Sequence, residues 1–133
     1  MVTEDYASFE TAKLLKEKGF KGEGEHFYEN NKIVSYVNYW DRITPKQRYE
    51  AIEAPTLQVV MKWLRIEHEL HVEPHLVKTK YSYGYLSNFV DIKKLEQKFP
   101  FKEFDFVNAD KYVSSTYSQA CEVAIKYILE NLI

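Results

Sequence analysis

The chain has 133 residues, of which 45% are apolar, 29% charged and 16% aromatic. Eighteen basic against twenty acidic side chains leave a net charge of −2, which gives no overall pull toward nucleic acid or an anionic membrane, where a strongly basic domain is the usual footprint. With this many aromatics the chain is not of a disordered class, its one cysteine excludes an internal disulfide, and its length fits one domain over residues 1–133.

A short helix comes first. Ser8 is placed to cap it, and Phe9, Ala12 and Leu15 share one face. Gly19 stops it where a left-handed residue is needed, with Phe20 folding back on Leu15. A hairpin follows, from His26–Tyr28 to Ile33–Val37, turning at Asn30-Asn31 because asparagine tolerates positive φ. The polar stretch 38–54 reads as a long connection. Pro55 opens a second helix over residues 57–70, apolar over so wide an arc that burial on more than one side is expected. Val59, Trp63 and Ile66 line one side of it, and Leu57, Met61 and Leu64 the other.

Pro74 ends the helical pattern, and a strand is predicted over Leu70–Val77. A second strand, Tyr81–Leu86, alternates Tyr81, Tyr83 and Tyr85 with Ser82 and Gly84. Asp91 is read as the cap of a short helix ending at Pro100, and Phe104 with Phe106 as an edge strand. The last helix is opened by a Thr116/Gln119 capping box. Its apolar face holds Ala120, Cys121, Ala124, Ile125, Ile128, Leu129 and Leu132. Together these predict an α+β domain with three main helices packed on a small, mostly antiparallel sheet.

Three segments carry a resemblance: Ser8–Phe20, Ala54–Gln58 with Met61–Arg65, and Tyr117–Leu132. As a set they are similar to a family of small proteins of phages, prophages and other mobile elements of gut anaerobic bacteria. That family has no assigned activity, so the resemblance implies context alone: a small soluble accessory protein working in the cytoplasm of a bacterial host. The acidic N-terminus has no apolar signal-like core, and no run reaches the roughly 18 apolar residues of a membrane span.

No nucleotide-binding glycine loop, nucleophile elbow or zinc signature occurs. No catalytic residue, cofactor or metal is therefore assigned, and the chain is read as non-enzymatic. The pairs Glu23/Glu25 and Glu50/Glu53 read as ordinary surface carboxylates. His71, Glu73 and His75 would project from one strand face at period two, a conceivable Zn²⁺ set; the plainer reading is a polar outer face. Tyr81, Tyr83 and Tyr85, between Lys78, Lys80 and the pair Lys93-Lys94, would suit stacked bases and phosphates. They would equally suit strand packing or protein contact. The leading expectation is a protein–protein interaction module using Trp63, Tyr81, Tyr83 and Tyr85, the alternative a nucleic-acid-binding factor. The apolar arc of the second helix also raises a homodimer with Trp63 at its interface.

Overall fold

The computed structural model describes residues 4–133. Among them the architecture is α+β, with two small antiparallel sheets of two and three strands. The chain groups into two compact units, residues 1–60 and 61–133.

In the first unit, helix α1 (Phe9–Glu17) forms as its sequence dictates. The Ser8 side chain accepts from Thr11 N, and Thr11, Ala12 and Leu15 are buried. At its end Gly19 takes φ +82°. Phe20 N donates to Leu15 O at 2.9 Å and Gly19 N to Lys16 O at 3.1 Å, the paired bonds of a Schellman ending. Strands β1 (His26–Glu29) and β2 (Lys32–Ser35) pair with Glu29 opposite Lys32. Asn30 and Asn31 sit at φ +51° and +62°, so the tight turn rests on two left-handed asparagines.

The second strand stops two residues before the position expected from composition. Helix α2 (Tyr36–Trp40) takes over, because Tyr36, Tyr39 and Trp40 stand at i, i+3 and i+4 and all reach the Phe27 ring, at centroid distances of 6.3, 5.3 and 5.0 Å. The stretch read as a polar connection also holds helix α3 (Pro45–Glu50), with Pro45 in its first turn and a complete Thr44/Gln47 capping box. Lys16 Nζ donates to the carbonyls of Tyr49 and Ala51 at 2.7 and 2.9 Å, tying that segment to α1.

Helix α4 (Leu57–Glu67) begins later than its proline, with Thr56 Oγ1 accepting from Val59 N at 3.3 Å. Its burial follows a single stripe, Leu57, Val60, Met61 and Leu64, at i, i+3, i+4 and i+7. Burial of the second side is partial: Val59 and Trp63 are half-buried, and Ile66 is 61% exposed.

In the second unit, β3 (Leu70–Lys78) and β4 (Tyr83–Asp91) form a long hairpin, and β5 (Glu96–Lys98) pairs with the far end of β4. The helix expected after Asp91 is replaced by this β4–β5 hairpin. Ile92 N continues the ladder to Glu69 O at 2.9 Å, Asp91 Oδ1 accepts from Lys94 N at 3.2 Å, and Leu95 turns the chain at φ +55°. No edge strand forms at Phe104–Phe106: Phe104 is irregular, Asp105 caps a 3-10 segment, and that segment runs from Phe106 to Tyr112. What organises residues 99–112 is aromatic packing: Phe99 stacks on Phe104 at 3.9 Å, Phe106 meets Phe104 edge-on at 4.8 Å, and Tyr112 lies 4.4 Å from Phe101.

Helix α5 (Tyr117–Asn131) ends the unit. Thr116 accepts from Gln119 N, but Gln119 Oε1 is taken by Ser115 Oγ at 2.8 Å, so half of the expected capping box forms. Ala120, Cys121, Ala124, Ile125, Ile128 and Leu129 are fully buried, and Leu132 is 41% exposed. No helix among the described residues is long and apolar enough to cross a membrane.

Candidate interaction surface

The β3–β4 hairpin places its side chains by register. Opposed pairs share a face, so Leu70, Val72, Pro74, Leu76 and Lys78 lie on one face with Asp91, Phe89, Ser87, Tyr85 and Tyr83. Helix α5 packs on that face, with the Tyr127 ring 6.0 Å from Phe89 and Tyr117 edge-on to Tyr85 at 5.8 Å. Toward the turn the face emerges: Leu76 is 64% exposed, Tyr83 66% and Tyr81, in the turn itself, 87%. The turn is hydrogen-bonded. Thr79 N and Oγ1 both donate to Ser82 O, and Ser82 N donates back to Thr79 Oγ1. Lys80 N donates to Asp110 Oδ2 at 3.0 Å.

A second strut holds the hairpin from the other edge of β4. Tyr85 and Ser114 exchange two backbone hydrogen bonds, each 2.8 Å. Gly84 permits that approach, since a Cβ there would stand 2.2 Å from Val113 Cγ1 and 2.9 Å from Ser114 O.

The tyrosine alternation thus divides three ways. Tyr81 crowns the turn, Tyr83 stands open on the α5 face, and Tyr85 is half-buried against Tyr117. The flanking lysines separate. Lys78 and Lys80 stay at the tip, whereas Lys93 and Lys94 follow the far end of β4, about 27 Å along the strand, where Lys93 Nζ meets Glu69 Oε2 at 3.9 Å. One continuous basic and aromatic track for a nucleic-acid strand is not assembled.

His71, Glu73 and His75 do share the opposite face of β3. Glu73 bridges the imidazoles, Oε1 at 3.2 Å from His71 Nε2 and Oε2 at 3.6 Å from His75 Nε2. The three make a surface carboxylate–imidazole pair of contacts, and among the described residues no group of three His, Cys, Asp or Glu is arranged for a metal ion. Beside Glu73 in register lies Asn88, fully buried, with neither side-chain polar atom hydrogen-bonded; nothing in the sequence signals it.

Trp63 is half-buried, edge-on to His68 at 4.7 Å. On the same side of α4, Ile66 is 61% exposed.

In the first unit the carboxylates group differently from their sequence pairs. Glu23, Glu25 and Glu53 line a cavity of about 420 Å³ with Tyr6, His26 and Thr56. Burial raises the Glu53 carboxyl above its usual range; N–H groups of Gly22 and Gly24 donate to it and act the other way, and the Glu23 charge adds to the rise. The carboxyl is thus occupied in fastening the 22–24 loop.

No family model, no curated protein and no solved structure matches this chain.

Proposed function

We propose that this chain is a non-enzymatic protein–protein interaction module, an accessory protein of a mobile element in a bacterial host, and that it binds through the distal half of the β3–β4 hairpin. The observation that carries the reading is the exposure of Leu76, Tyr81 and Tyr83 together at one hydrogen-bonded tip. Phe27 and Tyr39 are buried in the first unit, and Phe99, Phe101, Phe104 and Tyr112 are half-buried against one another in the second; Tyr49 and Phe106 are the other strongly exposed rings, at 86% and 75%. Tyrosine is enriched in interfaces because it offers contact area and a hydroxyl at low entropic cost.

The test is affinity capture from bacterial lysate with the wild-type chain and with the Tyr81→Ser/Tyr83→Ser variant. A protein retained by the first and lost from the second supports the reading. Equal retention by both, or retention of nothing, overturns it.

A further inference from the structure

We infer that the partner segment taken by the hairpin tip is acidic and extended, a deepening that rests on the interaction reading above. Between Glu73 and Asp91 the chain has no carboxylate, while Lys78 and Lys80 fall at the tip. Asp110 reaches the turn from the 3-10 helix, and its Oδ2 is engaged by Lys80 N. On the α5 face Lys78 stands opposite Tyr83, and Leu76 opposite Tyr85, so ammonium and aromatic groups alternate with aliphatic ones across the tip. The Tyr85–Tyr117 contact also brings the first residue of α5 to this place, and a helix N-terminus favours negative charge.

The backbone supplies the shape of the partner. β3 is one of the two edge strands of its sheet. The bonds Thr79 N to Ser82 O and Ile92 N to Glu69 O fix the odd-numbered residues of β3 as those paired with β4, leaving the even-numbered ones turned to the outer edge. Pro74 has no N–H to offer there and blunts the middle of the edge. Leu76 and Lys78 do offer one each. A strand laid beside them gains main-chain hydrogen bonds, and its alternate side chains meet Leu76, Tyr83 and the lysines. Acidic residues at those alternate positions pair with Lys78 and Lys80, while apolar ones cover Leu76 and Tyr83.

The experiment selects binders of the wild-type chain from a yeast-displayed library of short random peptides, then measures each selected peptide against Tyr83→Ser and against Lys78→Glu/Lys80→Glu. These are exposed positions, and circular dichroism confirms the fold of each variant. An excess of Asp and Glu in the selected peptides, with affinity falling about tenfold or more in both variants and declining with added salt, supports the inference. Peptides that need Tyr83 but show no acidic excess overturn the acidic partner and leave the interaction surface standing. Peptides indifferent to both variants, or no selected peptides at all, overturn both. Tighter binding of a thymidine oligonucleotide than of any selected peptide, lost in the lysine variant, overturns the peptide in favour of nucleic acid.

Discussion

Val72 and Leu76 occupy the same face of the same strand, yet the first is 5% exposed and the second 64%. Their cross-strand partners differ likewise: Phe89, opposite Val72, is 1% exposed, and Tyr85, opposite Leu76, is half-buried, with Tyr83 beyond it at 66%. Residue chemistry does not separate the two halves of the hairpin; coverage does. Helix α5, of fifteen residues, spans about 22 Å, and β4 from Tyr85 to Asp91 spans about 20 Å. Capped at Thr116 beside Tyr85, the helix covers the proximal half and has no length left for the distal one. The distal half is then held straight by its turn and by the Tyr85–Ser114 bridge rather than by a core. An apolar surface that the fold itself leaves open is what an interaction reading needs, and it can be broken or sharpened by substitutions along the hairpin.

The largest effect is expected at the most buried point of the proximal half. Phe89→Ala removes a ring packed against Tyr127, and urea unfolding should show a loss of about 3–5 kcal/mol. A loss under about 1 kcal/mol would mean that α5 does not depend on this face. At the boundary, Gly84→Ala forces a methyl against Val113 and the Ser114 carbonyl. The expected cost is about 1–3 kcal/mol, together with faster hydrogen exchange at the Tyr85 and Ser114 amides. Unchanged exchange at those two amides would show that the bridge does not brace the distal half.

Much of this was legible beforehand, and the misses share a cause. Ser8, Gly19, the Asn30-Asn31 turn and the face of α5 were legible because caps, left-handed residues and helical periodicity are local physics. Residues 36–37 read as the end of a strand and 38–40 as the start of a connection, because Tyr36 and Val37 are strand formers and Asn38 is polar; only the spacing of Tyr36, Tyr39 and Trp40 around Phe27, an apposition made by the hairpin, turns them into a helix. The helix expected from Asp91 to Phe99 and the strand expected at Phe104–Phe106 fail because the β4–β5 pairing and the phenylalanine cluster are contacts between segments. At the site, the sequence marked Tyr81, Tyr83 and Tyr85 but could not say that α5 covers only the last of them. Lys93 and Lys94 looked adjacent to the tyrosines because sequence distance conceals the length of an extended strand.

A smaller effect, of opposite sign, is expected at Asn88. Its amide is buried with no partner, and an unpaired buried polar group costs more than an apolar one of similar shape. Asn88→Leu should raise stability by about 1 kcal/mol. A comparable loss would show that ordered water serves the amide, and that the proximal half is more polar inside than its packing suggests.

The smallest stability effect is expected at the tip, and there the two halves should part most clearly. Tyr83 is mostly exposed and sits opposite exposed Lys78, so Tyr83→Ser removes little packed area. Surface replacements of this kind stay within about 0.5 kcal/mol, and the urea midpoint should barely move. The same substitution should abolish retention of any partner that the wild-type chain captures, because a mostly exposed aromatic can contribute its area to a complex without having contributed it to folding. The two readouts therefore run in opposite directions along the hairpin: Phe89 governs stability, and Tyr83 governs binding. A loss above about 1 kcal/mol at Tyr83 would place the distal half inside the cooperative core, and the exposed tip would then be part of what the chain needs to fold rather than a surface kept for a partner.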